Sequence, residues 1–243
     1  MFKIIKKLRF TFAILAAGCF ILVAENAMAE TPLQQDAQEL IQLANQQLNK
    51  LDQNERWASV KNTTGIAKAI FVMPKGGQVG ALLGAQWATG ILMTRNEHQW
   101  SDPVFVKMNS AMLGLVIGGQ SSKSMGIILD SNLVNNLADS SISVSGTADL
   151  TIFKGVSGKV VGGTGGISTL MIAENKGLYF GGSIDTFNLR LAPKLNQALY
   201  GEAFQAETVL NQFGESNNAE TNEIKQRLAR IGEEAVYGKQ GSQ

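Results

Sequence analysis

The chain has 243 residues, 17% of them charged, and a formal net charge of +1 at pH 7. A near-neutral protein lacks the basic footprint with which nucleic-acid-binding proteins displace counterions, so no nucleic-acid partner is expected. The chain contains one histidine and one cysteine, too few for a zinc site built from those ligands. We therefore predict no metal and no cofactor.

The first 29 residues have the three-part pattern of a secretory signal peptide. Residues 1–9 carry four positive charges, and an unbroken apolar run follows from Phe10 to Ala24. That run is shorter than the roughly 18 residues needed to span a bilayer. Small residues at Ala27 and Ala29 then occupy the −3 and −1 positions. The sequence predicts cleavage after Ala29 and a periplasmic location.

Cys19 offers an alternative, because Ala16-Ala17-Gly18-Cys19 looks like a bacterial lipobox. Lipidation at Cys19 would make the protein a membrane lipoprotein. However, the apolar run continues past the cysteine, where a lipoprotein normally turns polar.

With cleavage after Ala29, the mature chain has 17 basic and 19 acidic residues, a net charge of −2.

Residues 30–63 predict an N-terminal amphipathic helix. Apolar residues recur at spacings of three and four, which places them on one helical stripe: Leu33, Ala37, Leu40, Ile41, Ala44, Leu48 and Leu51. The opposite face is rich in glutamine and contributes only Lys50 as a basic residue. Membrane-surface helices favour Lys and Arg on that face, so we expect this helix to pack on the body of the domain.

Residues 64–201 predict a β-rich domain, because short apolar runs alternate with turn residues. The predicted strands are Ile66–Pro74, Ile91–Thr94, Val104–Met108, Gly126–Leu129, Ser141–Ser145, Thr151–Phe153, Ser168–Ala173, Leu178–Gly181 and Phe187–Leu191. Hairpin turns are expected at residues 96–99 and 174–177. A short helix is expected at Leu133–Leu137, with caps available from Asp130 onward.

Residues 202–243 predict a C-terminal helical extension, with a helix from Ala219 to Val236. The fold class is thus α+β: one domain with an antiparallel sheet or sandwich as its body, an N-terminal helix and C-terminal helices.

Side-chain catalysis has little support. His98, the only histidine, lies in a predicted hairpin turn, and no Gly-x-Ser-x-Gly nucleophile motif occurs. The glycines at 162–166 are not followed by the Gly-Lys-Ser/Thr of a phosphate-binding loop. We predict no catalytic residue and no enzyme.

An ordered set of residues resembles the SYLF domain family. The set comprises Ala67-Lys68-Ala69-Ile70, Pro74, Gly80, Gly84, Gly90, Trp100-Ser101-Asp102-Pro103, Gly114, Gly118, Ile127-Ile128-Leu129, Gly155 to Gly158, residues 176–182, and Tyr200-Gly201. The resemblance implies a lipid-binding domain. Eukaryotic members of the family bind phosphoinositides and bundle actin, whereas bacterial members are exported. An exported bacterial protein would meet no actin, so lipid or a membrane surface is the expected partner.

Three lysines near the first strand are the predicted lipid-binding residues: Lys61, Lys68 and Lys75 could meet a phosphate head group as point charges. The aromatic residues Phe71, Trp87, Trp100, Tyr179 and Phe180 could line an apolar surface, although aromatic side chains among strands are more often core. Trp100–Pro103 is expected to be a turn with its indole packed. Two functions stay open: association with membrane lipid at the periplasmic face, and binding of a protein partner through the same domain.

Overall fold

The structure, a computed structural model, describes residues 30–53, 58–80, 83–114, 118–139, 141–145, 147–153, 156–163, 166–176 and 182–237. Within these ranges no helix is both long and apolar enough to cross a membrane.

The described residues form six helices and ten strands. The helices are α1 (Pro32–Gln53), α2 (Ala58–Thr64), α3 (Ser131–Asp139), α4 (Pro193–Tyr200), α5 (Ala206–Leu210) and α6 (Ala219–Tyr237). The strands are β1 (Ala69–Gly80), β2 (Leu83–Asn96), β3 (Gln99–Trp100), β4 (Val104–Gly114), β5 (Gly118–Ile128), β6 (Ser141–Ser145), β7 (Thr147–Phe153), β8 (Val156–Gly163), β9 (Gly166–Lys176) and β10 (Gly182–Leu191).

All the strands belong to one antiparallel sheet, with the order β6-β10-β4-β2-β1-β5-β9-β8-β7 and β3 paired to β2. Helices precede the sheet at the N-terminus and follow it at the C-terminus. The α+β prediction is therefore confirmed.

Most of the predicted strands are longer in the structure than the sequence predicted. The prediction that the first strand ends at Pro74 is wrong, because β1 continues to Gly80. Its pairing to β2 shifts register between Val72 and Lys75, so two residues of β1 stand opposite one of β2. Such a bulge is one of the few places where a sheet accepts proline. The hairpin predicted at 174–177 is also wrong in part, since residues 174–176 lie inside β9.

Other local predictions are confirmed. Ser141–Ser145 is a strand with the predicted bounds, and the short helix after residue 130 forms as α3. The side chain of Asp130 accepts a hydrogen bond from the backbone N–H of Asn132 at 2.9 Å. Glu97 and His98 form the turn between β2 and β3. The strand predicted at 178–181 lies outside the described residues.

Both faces of the central strands β1, β2, β4 and β5 are buried. Each face carries its own apolar cluster. The first cluster lies on the face covered by α1, α4 and α6, and includes Leu48, Ile70, Val72, Ile91, Met93, Trp100, Phe105, Leu195 and Leu228. The second lies on the opposite face, beside α3 and α5, and includes Phe71, Met73, Leu92, Met108, Val134, Leu189 and Leu210. Alternation along β1 assigns neighbouring residues to the two clusters in turn, as a pleated strand requires.

Helix α1 packs as the sequence predicted, because six of its seven stripe residues are buried and only Leu33 is exposed. Polar side chains join α1 to α6. The amide of Asn45 donates to Glu220 at 2.5 Å and to Glu223 at 2.7 Å. Arg227 donates to Asn49 in the same interface. The first and last described helices therefore lie side by side, although about 175 residues separate these contacts along the chain.

Candidate functional site

The turn predicted at Trp100–Pro103 is wrong, although the indole is packed as predicted. Trp100 is 1% exposed and ends β3, and β4 begins directly after Pro103. Both strands pair antiparallel with β2, Trp100 opposite Arg95 and Val104 opposite Leu92, so the chain continues along β2 and does not reverse here. We call Trp100–Pro103 the β3–β4 link.

Two hydrogen bonds fix the β3–β4 link against β2. The N–H of Ser101 donates to the carbonyl of Thr94 at 2.9 Å, and the Ser101 hydroxyl accepts from the Thr94 N–H at 2.9 Å. The link has a structural role, since the buried indole of Trp100 is not available to a ligand.

Asp102 anchors the β3–β4 link to the C-terminal part of the chain. Its carboxylate lies 2.5 Å from the ammonium of Lys225 in α6, and both side chains are only about a tenth exposed. The hydroxyl of Ser216 donates to the same carboxylate at 3.2 Å, while Lys225 also donates to the carbonyl of Gly214 at 2.7 Å. The acidic residue of the Trp100–Pro103 motif therefore forms a buried ion pair.

Tyr200 also holds the β3–β4 link, because its hydroxyl donates to the carbonyl of Pro103 at 2.6 Å. Burial raises the pKa of Tyr200, and the charge of Asp102 raises it further. The phenol therefore stays protonated and keeps its hydrogen bond at physiological pH.

The three predicted lysines do not meet at one point. The ammonium of Lys61 in α2 donates to the carbonyl of Asp52 at 3.0 Å, near the end of α1. That of Lys75 in β1 pairs with Glu39 at 2.8 Å, near the start of α1. Thirteen residues of helix correspond to about 20 Å. Lys68 lies just before β1 and lines a separate cavity, so a single head group could not contact all three.

Cationic side chains instead form a row across the sheet, on the face that carries the first apolar cluster. Lys75 pairs in register with Thr89, Thr89 with Lys107, and Lys107 with Arg190. Cross-strand partners project from the same face of a sheet. With strands about 4.8 Å apart, the row spans about 14 Å from β1 to β10. Lys75, Lys107 and Arg190 are all exposed.

Exposed apolar side chains lie beside this row. Trp87 follows two residues before Thr89 on the same face of β2, and it is 49% exposed. Val79, on β1, is 50% exposed, and its partner Ala85 is exposed as well. Two residues along a strand correspond to about 7 Å. We call Lys75, Val79, Trp87, Lys107 and Arg190 the outer patch.

The two cations at the centre of the outer patch, Lys107 and Arg190, have no carboxylate partner among the described residues. Like charges placed directly opposite each other on neighbouring strands are destabilising, yet Lys107 stands opposite Arg190. Within the described part of the chain, neither has a carboxylate within 4.0 Å. Only Lys75 has such a partner, Glu39, and that pair is about half exposed. The arrangement suits an external anionic surface better than an internal salt bridge.

A cavity of about 530 Å³ lies between α3 and α5, beside the start of β1 and the end of β2. We call it the α3–α5 cavity. It is lined by Lys68, Thr94, Arg95, Asn96, Ser131, Val134, Asn135, Glu207, Leu210, Asn211 and Phe213. Thr94, Val134 and Leu210 are buried and form its floor, whereas most of the polar residues are exposed at its rim. Its size is within the roughly 300–1,000 Å³ of small-molecule sites.

The aromatic residues divide between core and surface. Phe71 and Trp100 are buried, as expected for aromatic side chains among strands, but Trp87 is not. Tyr179 and Phe180 lie outside the described residues. Lys107, Arg190 and Glu207 were missed because nothing in the local sequence distinguishes them from ordinary surface charges. The alternation of residues along β2 and β4 could have shown which side chains share a face. It identifies a patch only when the register between the strands is known.

The described residues hold no group of three His, Cys, Asp or Glu side chains placed to bind a metal ion. His98 is exposed in its turn. The fold is that of an α+β domain built on one antiparallel sheet. A family model described as "Ysc84: Las17-binding protein actin regulator" matches residues 109–231, about half of the chain, and the chain belongs to this SYLF-type family. Comparison with curated proteins and with solved structures gave no match.

The match begins within β4 and ends within α6. It therefore includes the C-terminal helices as well as most of the sheet. The family is not a family of enzymes, and it is associated with lipid binding and actin regulation. The boundaries 64–201 and 202–243 drawn from the sequence stay predictions.

Proposed function

We propose that this protein is a non-enzymatic, exported member of its family that associates with membrane lipid at the periplasmic face. The observation that carries the proposal is the outer patch, where exposed apolar side chains adjoin a row of cations. Apolar residues beside Lys and Arg are what proteins use to bind the surface of an anionic bilayer. The family's association with lipid supports the same conclusion.

The outer patch supports a lipid surface over the alternative from the sequence, a protein partner. The Lys107 and Arg190 charges lie directly opposite each other on neighbouring strands, and each such cation is worth about 1 kcal/mol near an anionic membrane surface. The description of the family as an actin regulator applies to the family. An exported protein would not meet actin, so we do not propose it as a partner. The predicted lipid contacts of Lys61 and Lys68, which lie away from the patch, stay predictions.

Sedimentation with vesicles tests this proposal. The purified chain is expected to bind vesicles containing phosphatidylglycerol and to bind phosphatidylcholine vesicles weakly, with the difference shrinking as salt rises. Replacing both cations, Lys107→Gln with Arg190→Gln, should weaken binding about 25-fold, since about 1 kcal/mol is lost for each. Trp87→Ala should weaken it to both kinds of vesicle by removing an apolar contact.

Lys194→Gln is the matched control, because Lys194 is an exposed cation of α4 outside the outer patch. It should leave vesicle binding unchanged. If the unmodified protein sediments with anionic vesicles no better than without them at low salt, lipid association is wrong. If Lys194→Gln has the same effect as the patch substitutions, binding follows net charge alone and the patch is not the contact.

Export can be tested separately from lipid binding. When the full chain is expressed in a bacterium, we expect the mature protein in the periplasmic fraction with Glu30 as its first residue, because Ala27 and Ala29 fit the signal-peptidase positions. N-terminal sequencing and intact-mass measurement check this. A diacylated N-terminus at Cys19 would establish the lipoprotein alternative, and an intact Met1 in the cytoplasmic fraction would contradict both.

A further inference from the structure

The α3–α5 cavity carries two opposite charges that have no partners. Lys68 lines it from the start of β1, and Glu207 lines it from α5. In the described ranges neither side chain makes an ion pair or a hydrogen bond. We propose that this cavity binds a small zwitterion, namely an amino acid or short peptide with a free α-ammonium and a free carboxylate.

The positive side of the cavity is held by backbone bonds. The N–H of Lys68 donates to the carbonyl of Ile128 at 2.8 Å, and the carbonyl of Lys68 accepts from the N–H of Arg95 at 2.8 Å. Lys68 is thus fixed at the sheet end while its ammonium remains exposed. This ammonium is the group that receives the ligand's carboxylate.

Arg95 also lines the cavity, but its guanidinium lies beside α2 and α6. It donates to the carbonyls of Thr64, at 3.2 Å, and Gly65. It also lies close to Gly232 of α6, where an added Cβ would be 3.6 Å from it. Lys68 is therefore the cation that the cavity offers to a ligand's carboxylate.

The negative side comes from the helix across the cavity. The carbonyl of Glu207 accepts hydrogen bonds from the backbone N–H of Asn211 at 3.1 Å and from its side-chain amide at 3.0 Å. These bonds hold the backbone of α5, while the Glu207 carboxylate remains free to accept a ligand's ammonium. The amides of Asn96 and Asn135, which also line the cavity, offer both donors and acceptors, as a peptide group requires.

The combination of charges selects the ligand class. An anion without a positive group would be repelled by Glu207, and a cation without a negative group would be repelled by Lys68. A zwitterion satisfies both sides at once, and the buried Val134 and Leu210 with the half-buried Phe213 offer apolar contact for a side chain. The cavity and the outer patch share no residue, so this inference does not rest on lipid binding.

Calorimetric titration of the full chain in the absence of lipid tests the inference. The probes are a panel of free L-amino acids and alanyl dipeptides, which separates single amino acids from peptides as ligands. The tightest binder is then compared with its C-terminal amide and its N-acetyl derivative. Lys68→Gln and Glu207→Gln should each weaken zwitterion binding about tenfold, the effect of losing one charge-assisted hydrogen bond.

The C-terminal amide and the N-acetyl derivative show whether Lys68 contacts the ligand's carboxylate directly and whether Glu207 contacts its ammonium directly. The C-terminal amide should bind wild type and Lys68→Gln equally, and the N-acetyl ligand should bind wild type and Glu207→Gln equally. Lys194→Gln and Glu202→Gln are exposed controls outside the cavity and should bind like wild type. Failure of every zwitterion in the panel to bind overturns the inference, as does an amide whose affinity drops a further tenfold in Lys68→Gln. Neither result bears on the vesicle measurements.

Discussion

Gly90→Ala is expected to destabilise the fold by about 3 kcal/mol or more, the upper end of the usual cost of overpacking. A Cβ at this position would lie 1.9 Å from the carbonyl oxygen of Val72 and 2.7 Å from the Cα of Met73. Both are backbone atoms of the bulge in β1, and unlike a side chain they cannot rotate away. Urea unfolding followed by circular dichroism measures the loss of free energy.

Gly232→Ala is the matched control for this substitution. A Cβ at Gly232 in α6 would find its nearest neighbour, the Arg95 guanidinium, at 3.6 Å, an ordinary contact. Alanine also favours helix over glycine by up to about 1 kcal/mol. We therefore expect Gly232→Ala to be as stable as wild type or slightly more so. A Gly90→Ala protein with wild-type stability would show that β1 and β2 are not as close as described.

Asp102→Ala is expected to cost about 3–5 kcal/mol, because it leaves the Lys225 ammonium buried with only the Gly214 carbonyl as a partner. Removing both charges, Asp102→Asn with Lys225→Met, should recover much of that loss, since replacing a buried pair with neutral groups is often nearly neutral. Urea unfolding of the single and double variants gives the coupling energy.

An exposed ion pair provides the comparison. Lys75→Gln breaks the pair with Glu39, whose side chains are 42% and 51% exposed, and it should cost no more than about 1 kcal/mol. If Asp102→Ala proves as mild as Lys75→Gln, the β3–β4 link is not anchored through Lys225. If the double variant is less stable than Asp102→Ala, the cost does not come from an unpaired buried charge.

The features that the sequence predicted correctly depend on local periodicity. The apolar stripe of α1 and the turn at Glu97-His98 are both set by residues within a few positions of each other. The bulge at Pro74 could not be predicted in the same way. In the sequence Pro74 indicates the end of a strand, whereas in the structure Gly90 on the neighbouring strand leaves room for the bulged backbone. The residue that allows proline inside β1 therefore lies on β2.

The candidate sites depend on pairings that no local pattern contains. Lys107 and Arg190 become neighbours only through the register of β4 and β10, and Lys68 and Glu207 line one cavity only because α5 packs beside the strand ends.

Family resemblance led to the correct domain type, yet its motif at Asp102 is an element of stability. The sequence singled out Lys68, Lys75 and Trp87 among the residues that could bind lipid or a small ligand. The others, Lys107, Arg190 and Glu207, lie in segments where the sequence looked ordinary.

The pairing of α1 with α6 has a consequence for how the chain folds. Their contacts join positions about 175 residues apart, and α6 also supplies the partner of Asp102. Contacts this distant along the chain slow folding, because the loop between them must close before they form. The domain therefore cannot be completed until α6 has been synthesised. A chain that stays incompletely folded until then suits the export that we propose.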